Sequence, residues 1–303
     1  MHELIIIGAG PAGLAASIYA SRYKIGHIVI GNMFNGSLPK AHLIENWPGE
    51  KSIKGSDLVA KFFEHAKSLG AEVIQEEIAG VKKEGGGFSV RTNVNKVYQA
   101  KTVLITVGTS HRKLNIPGEE EFLGKGVSYC AVCDAPFFKN KTVAVAGGSS
   151  SAAMSATMLT EHAAKVYVIY RGECLRCEPI MLERMQKNPK IEIVYNTNIT
   201  KVTGQRKVES IEIDKEYNGQ KSIKVDGLFI EIGSVPSISL IKELGVNTEH
   251  DFIVIDQSCA TNIKGVFAAG DVTTGSNGLR QVVTAVSEGA IAVTSIYKLL
   301  KGG

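Results

Sequence analysis

The sequence predicts an α/β protein with two Rossmann-like, three-layer nucleotide-binding modules. The apolar run Leu4-Ile5-Ile6-Ile7 opens into Gly8-Ala9-Gly10-Pro11-Ala12-Gly13 and then into small helix-forming residues, which is strand, tight turn, helix. About 140 residues further on, Lys141 to Ala146 opens into Gly147-Gly148-Ser149-Ser150-Ser151-Ala152, so the same unit begins again. A length of 303 residues with 44% hydrophobic content suits about two domains, each with its own core.

Composition narrows the class. The net charge of +4 is spread along the chain, which gives no support to nucleic-acid binding. No uninterrupted apolar run approaches the ~20 residues of a membrane helix, so no membrane partner is expected. Five cysteines form an odd count, and no basic leader precedes Leu4; together these predict a cytoplasmic protein with mostly reduced thiols.

In the first module Gly8, Gly10 and Gly13 serve the tight turn, the approach of a pyrophosphate and close helix-to-strand packing, while Pro11 and Ala12 open the helix whose amides face the phosphates. After the next strand, His27 to Ile30, an acid often binds a ribose hydroxyl; here Gly31 and Asn32 follow, and residues 4 to 44 contain no acid. Asn32 or backbone is left to hold that ribose. The loops Asn35-Gly36-Ser37-Leu38 and Glu45-Asn46-Trp47-Pro48-Gly49 offer polar groups to a flavin, and residues 56 to 70 carry the spacing of an amphipathic helix. Strands are predicted at 71–74, 88–90 and 102–106, the last ending at Val107-Gly108-Thr109, and Ile116-Pro117-Gly118 has the composition of a hinge.

Next comes Ser128-Tyr129-Cys130-Ala131-Val132-Cys133-Asp134-Ala135-Pro136. Cysteines three positions apart can close a small disulfide ring, and at a helix start the free amides and dipole stabilise a thiolate. The same spacing serves metal ligands, but a pair lying between two dinucleotide turns points to redox chemistry. Cys174 and Cys177 form a second pair; the intervening strand-turn-helix argues against a four-cysteine zinc site, so no metal is expected and that pair reads as surface thiols. Cys259 reads as a packed small hydrophobe.

The second module's next strand, 165–170, runs into Arg171-Gly172-Glu173-Cys174-Leu175-Arg176, where Arg171 and Arg176 could meet a 2′-phosphate above Gly147 and Ser149. Strands are predicted at 191–195, 208–213 and 224–232, with a linker at Gly233-Ser234-Val235-Pro236 and the stretch after it. Asp271 follows an apolar strand and is placed to bind a ribityl hydroxyl; Arg280-Gln281-Val282 opens the final helix beside it.

Taken together, Gly8 to Gly13, Glu45 to Gly49, Cys130-Ala131-Val132-Cys133-Asp134, Gly265 to Asp271 and Arg280-Gln281 resemble the low-molecular-weight thioredoxin reductases, in one order over essentially the whole chain. That resemblance implies that the second module is inserted in the first: an FAD-binding domain from 1–116 and 244–303, and a pyridine-nucleotide-like domain from 117–243 carrying the dithiol. It also implies bound FAD, a homodimer and a thioredoxin-like acceptor. By the same likeness, Cys133 lies next to the flavin, Cys130 attacks the partner's disulfide and Asp134 donates a proton. The sequence departs from the family mainly in the inserted part. Ser149 stands at the central glycine position, and Gly172 replaces one arginine of the 2′-phosphate cluster. A smaller departure gives Asn35-Gly36-Ser37-Leu38 in place of Gly-Gly-Gln-Leu. The expected donor is therefore open between NADPH and a ferredoxin-type protein, and a flavin-dependent dithiol oxidase or a redox sensor stays among the readings.

Overall fold

Leu4, Ile5, Ile6 and Ile7 are all essentially inaccessible to solvent, as are Val143, Ala144, Val145 and Ala146, and each run is the middle of a parallel sheet. A strand apolar on both faces needs a layer on each side, and burial of one such side chain is worth roughly 2 kcal/mol. The computed structural model describes residues 1–302. In chain order it contains β1 (His2–Ile7), α1 (Pro11–Arg22), β2 (His27–Ile30), α2 (Gly55–Ser68), β3 (Glu72–Ile74), β4 (Ile78–Glu84), β5 (Gly87–Thr92) and β6 (Val97–Ile105). There follow β7 (Thr109–His111), β8 (Val127–Ser128), α3 (Ala131–Asp134), β9 (Thr142–Ala146), α4 (Ser150–Leu159), β10 (Lys165–Ile169) and α5 (Pro179–Gln186). The rest is β11 (Ile191–Val194), β12 (Ile199–Gly204), β13 (Val208–Tyr217), β14 (Gln220–Lys224), β15 (Gly227–Ile230), β16 (Ser234–Pro236), β17 (Thr248–Glu249), β18 (Phe252–Ile253), β19 (Val266–Ala268) and α6 (Val282–Leu300).

Two units form, one from Met1–Ser110 with Val235–Gly303 and the other from His111–Ser234. In the first, β3, β2, β1 and β6 run parallel, with Ile6 opposite Val29 and Leu104. The long strand β6 has two partners on one edge: β19 joins its C-terminal half in parallel, Phe267 opposite Leu104, and β5 its N-terminal half antiparallel, Phe88 opposite Ala100. Helices α1, α2 and α6 cover one face through Leu14, Leu58, Val293 and Ile296; on the other, Ile5 and Val103 pack with Ile241 and Leu244. Helix α6 touches α1 closely enough that a Cβ at Gly289 would run into the Ala12 backbone. It is the one described helix long and apolar enough to cross a membrane, yet Ala285, Glu288, Gly289, Ala292, Val293 and Ile296 are buried against this core.

The second unit repeats the plan. Strands β11, β10, β9, β15 and β8 form a parallel sheet, and β12, β13 and β14 a separate antiparallel one. The crossings between units, β7 and β16, pair with each other.

These crossings fall a few residues before the predicted boundaries at 116/117 and 243/244. Ile116-Pro117-Gly118 is not a free hinge, because the Pro117 carbonyl accepts the Val202 N–H at 2.9 Å and Gly118 lies against the Val202 backbone. After Pro236 the chain has already joined the first unit's core, where Ile241 is buried. The predicted strand 224–232 is broken at Asp226, whose carboxylate accepts the Thr142 N–H while its own N–H reaches the Thr142 carbonyl.

Candidate active site

The dithiol sits where a helix begins. Cys130 is the N-cap of α3, the Cys133 N–H points at the Cys130 sulfur at 3.2 Å, and the two sulfurs are joined as a disulfide. Ser128 fixes the approach: its hydroxyl accepts the Cys130 N–H at 3.0 Å and donates to the Cys130 carbonyl at 3.3 Å. The Asp134 N–H donates to the same carbonyl at 3.2 Å, so Asp134 is the acid of the helix's first turn. Cys133 is exposed and Cys130 half-buried.

Behind this turn lies a residue the sequence did not single out. Glu119 is only 2% exposed and its carboxylate accepts the N–H groups of Leu114 (2.9 Å) and Asn115 (2.6 Å) together with the Tyr129 hydroxyl. Burial, then the hydrogen bond to Glu119, pushes the Tyr129 phenol well above its ordinary range, so Tyr129 stays a neutral donor next to Cys130.

In the first unit, Gly8 has φ +116° and a Cβ there would meet the Thr106 carbonyl; a Cβ at Gly13 would meet the Gly8 carbonyl. Gly10 is different. It is the extended N-cap of α1, followed by Pro11 and the buried Ala12, and a Cβ there would find nothing within 4 Å. The turn thus allows no side chains beneath it and leaves open space in front of the helix amides, which is the shape a pyrophosphate needs. Thr106 closes the floor, donating its hydroxyl to the Ile7 and Gly8 carbonyls at 2.9 and 3.0 Å.

Several predicted cofactor residues converge on this unit from both chain ends. Asn46 donates to the Gln281 side chain at 3.0 Å, joining the Glu45–Gly49 loop to the start of α6, which Val282 opens. Arg280 donates to the Asp271 carbonyl at 3.3 Å and lies 3.7 Å over the Phe252 ring. Burial raises the Asp271 carboxyl, Arg280 opposing and Glu288 adding to the shift. Glu288, missed by sequence reading although it is the one acid inside α6, holds this loop: it accepts the Gly270 N–H at 2.7 Å, the Thr273 hydroxyl at 3.1 Å and the Ser276 hydroxyl at 2.6 Å. Other predictions are less directly placed. The Asn32 carboxamide accepts the Phe34 N–H, Leu38 turns its side chain into the core, Gly36 and Ser37 are exposed, and Gly108 makes a turn with φ +62°. The residues present, an open glycine cradle with Asp271, Asn46 and Gln281 in the same unit and Gly270 packed beside Ala12, fit a dinucleotide such as FAD.

The second turn carries side chains where the first is bare. Ser149 is the N-cap of α4, Gly147 has φ +143°, and Gly148 lies directly beneath the buried Tyr170 ring. The following loop folds onto the turn, the Arg176 N–H donating to the Gly148 carbonyl at 2.6 Å and the Glu178 N–H to the Ser150 hydroxyl at 3.3 Å. Arg171 and Arg176 are both exposed, and the Arg176 backbone is brought to the turn. Cys174 is exposed and Cys177 half-buried, both as free thiols; Cys259 is buried, and burial pushes its thiol up to about 12. No cluster able to hold a metal occurs among the described residues.

A family model described as pyridine nucleotide-disulphide oxidoreductase matches residues 2–289. A thioredoxin reductase of Listeria innocua is 40% identical over 304 residues, covering 99% of this chain and 94% of that protein. The crystal structure of Lactococcus lactis thioredoxin reductase superposes with a TM-score of 0.95 at 33% identity, covering 100% of both chains. A ferredoxin-flavin thioredoxin reductase structure from Clostridium acetobutylicum is 32% identical, with a TM-score of 0.55 and coverage of 100% of this chain and 99% of that one. The chain belongs to the pyridine nucleotide-disulphide oxidoreductase family. Within it, the fold and the Cys130–Cys133 pair are those of an FAD-dependent disulfide oxidoreductase of the thioredoxin reductase type.

Proposed function

We propose that this protein passes electrons through FAD and the Cys130/Cys133 pair to the disulfide of a thioredoxin-like protein, and that its reductant is a ferredoxin-type protein rather than NADPH. The observation that carries this reading is the contrast between a bare glycine turn in one unit and a turn crowded by Ser149 and Tyr170 in the other. The likeness to the clostridial enzyme, whose name carries ferredoxin, supports the donor.

FAD, when bound, supplies the link between a donor's electrons and a disulfide. The residues assigned to hold it are Gly8 to Gly13, Asn32, Gly36 to Leu38, Asn46, Gly108, Asp271 and Arg280 to Val282. Opening the Cys130–Cys133 bond takes two electrons and two protons, and Asp134 is assigned the delivery of a proton. The Cys130 thiolate then attacks the partner's disulfide and expels one of its sulfurs. Cys133 resolves the mixed disulfide, which restores the Cys130–Cys133 bond and releases the partner as a dithiol. Tyr129, hydrogen-bonded to Glu119, and Ser128 fix the backbone around Cys130 for both steps. By resemblance to its family the protein acts as a cytoplasmic homodimer.

The test uses the yellow holoprotein with thioredoxin as acceptor. Cys130→Ser and Cys133→Ser should each abolish thioredoxin reduction while leaving flavin bound. Cys130→Ser should in addition show a long-wavelength absorbance band from the Cys133 thiolate against the oxidised flavin. The band in Cys133→Ser instead would reverse the two roles, and undiminished turnover in either variant would sink the mechanism.

A further inference from the structure

The two units place the same backbone behind their glycine turns. The Thr106 N–H donates to the Ile7 carbonyl at 2.8 Å, and the Glu231 N–H to the Ala146 carbonyl at 2.8 Å. A Cβ on Gly8 would meet the Thr106 carbonyl, and one on Gly147 the Glu231 carbonyl. Glu231 is therefore the second unit's counterpart of Thr106, directly after β15 as Thr106 is directly after β6. The side chains differ in kind: one is a neutral hydroxyl satisfied by backbone carbonyls, the other a carboxyl. Glu231 extends along α4, where the Ser155 hydroxyl donates to it at 2.7 Å.

Its backbone lies behind the turn that would have to attract a pyrophosphate, and its carboxylate sits beside Ser155, in the second turn of the same helix. It neutralises part of the helix's positive end and repels the phosphates, and in a partly buried site neither effect is fully screened. No countercharge comes from the elements that enclose it. Strands β9 and β15, helix α4 and the turn Gly147–Ser149 carry no titratable side chain, and from β10 there are only Lys165, which pairs with Glu192, and Tyr167. Past the turn stand Tyr170, Arg171 and Arg176, the last engaged at Gly148 through its backbone. Burial, opposed only by the Ser155 hydrogen bond, raises the Glu231 carboxyl to about 7.

We propose that Glu231 is a specificity-determining residue that sets the second glycine turn against anionic dinucleotides, excluding them when it is ionised. This rests on the reading that NADPH is a poor donor and supplies a cause for it separate from Ser149. The exclusion is strongest above neutral pH and relaxes as the carboxyl takes up its proton.

The test measures binding, without turnover, of NAD⁺ and NADP⁺ to the FAD-loaded protein by calorimetry at pH 6 and pH 8. NAD⁺ serves as the main probe because it has no group titrating in that interval. The wild-type protein should bind NAD⁺ several-fold more weakly at pH 8 than at pH 6. Glu231→Thr, which installs the first unit's residue, should bind at pH 8 about tenfold more tightly than wild type and lose the pH dependence. Glu231→Gln should do the same and stands in if the threonine variant folds poorly. If both variants keep the wild-type affinity and pH profile while binding stays weak, Glu231 has no such role and the poor-donor reading stands on Ser149 alone. Tight, pH-independent binding by the wild-type protein would overturn both.

Discussion

At Gly10 and at Ser149 the backbone does the same thing: φ and ψ are −82° and −171° in one and −91° and 177° in the other. The Gly10 carbonyl accepts from Leu14 at 2.9 Å and the Ser149 carbonyl from Ala153 at 3.0 Å. A serine at this position is therefore unstrained, and the difference between the turns lies in what occupies the space around them. The first has bare backbone over a Thr106 floor. The second has a Ser149 side chain in front, Glu231 behind and Tyr170 pressed on Gly148. One exchange is reciprocal: Ala9 and Gly31 in the first unit correspond to Gly148 and Tyr170 in the second, so the side chain has moved from the turn to the strand end beside it. A fold that needs a strand-turn-helix keeps its conformational glycine, Gly8 or Gly147, whether or not a ligand is bound. The ligand, by contrast, depends on the positions that conformation leaves free.

That division can be broken experimentally. The largest effect should come from Gly13→Ala, because its Cβ would run into the Gly8 carbonyl and α1 would have to back away from β1. A loss of more than about 2 kcal/mol in unfolding free energy, with flavin released, is expected in denaturant titrations. The second unit already carries Ala152 at this place, so Ala152→Gly should leave flavin content unchanged.

A smaller effect concerns pH. The folded protein holds the Glu231 carboxyl at about 7 against an ordinary 4.5, so the unfolded chain releases that proton first. The group's contribution is neutral below about pH 4.5 and increasingly destabilising as pH rises towards 7, amounting to about 1–3 kcal/mol above it. Glu231→Gln should flatten this part of the stability profile, measured as denaturation midpoints from pH 4 to pH 8. An unchanged slope would mean that the carboxyl is hydrated more fully than its surroundings indicate.

The smallest effect, and the sharpest comparison, is Gly10→Ser. It gives the first turn the residue of the second, in an extended conformation with no atom within 4 Å of the new Cβ. Melting of the flavin-free protein should not move, while FAD retention should fall about tenfold, or roughly 1.4 kcal/mol. Unaltered flavin affinity would show that a side chain at this position does not crowd a pyrophosphate.

Much of this was legible in the amino-acid order. Period and glycine spacing identified both modules because a buried parallel strand leading into a helix has few other ways to be written. The dithiol's place at a helix start followed from Cys130 and the Ala-Val-Cys-Asp run. Pairings between distant segments were less accessible: Asn46 with Gln281 follows only from both chain ends lying in one unit. Glu119, Glu231 and Glu288 were missed for a common reason. Each is an acid whose neighbours in sequence are unremarkable and whose partners (the Tyr129 hydroxyl, Ser155, and the 270–276 loop) are brought to it by the fold. The hinge at 116–118 failed because Pro and Gly signal a turn, and only the Val202 contact reveals that the turn is fastened.

The claim that joins these observations is that the second turn no longer serves NADPH. It is tested most directly by mixing the oxidised, FAD-loaded protein anaerobically with micromolar NADPH, or with reduced ferredoxin, and following flavin absorbance by stopped flow. Slow, non-saturating bleaching is expected with NADPH and rapid bleaching with ferredoxin. Fast, saturable reduction by NADPH, unimproved by Ser149→Gly, would contradict that claim.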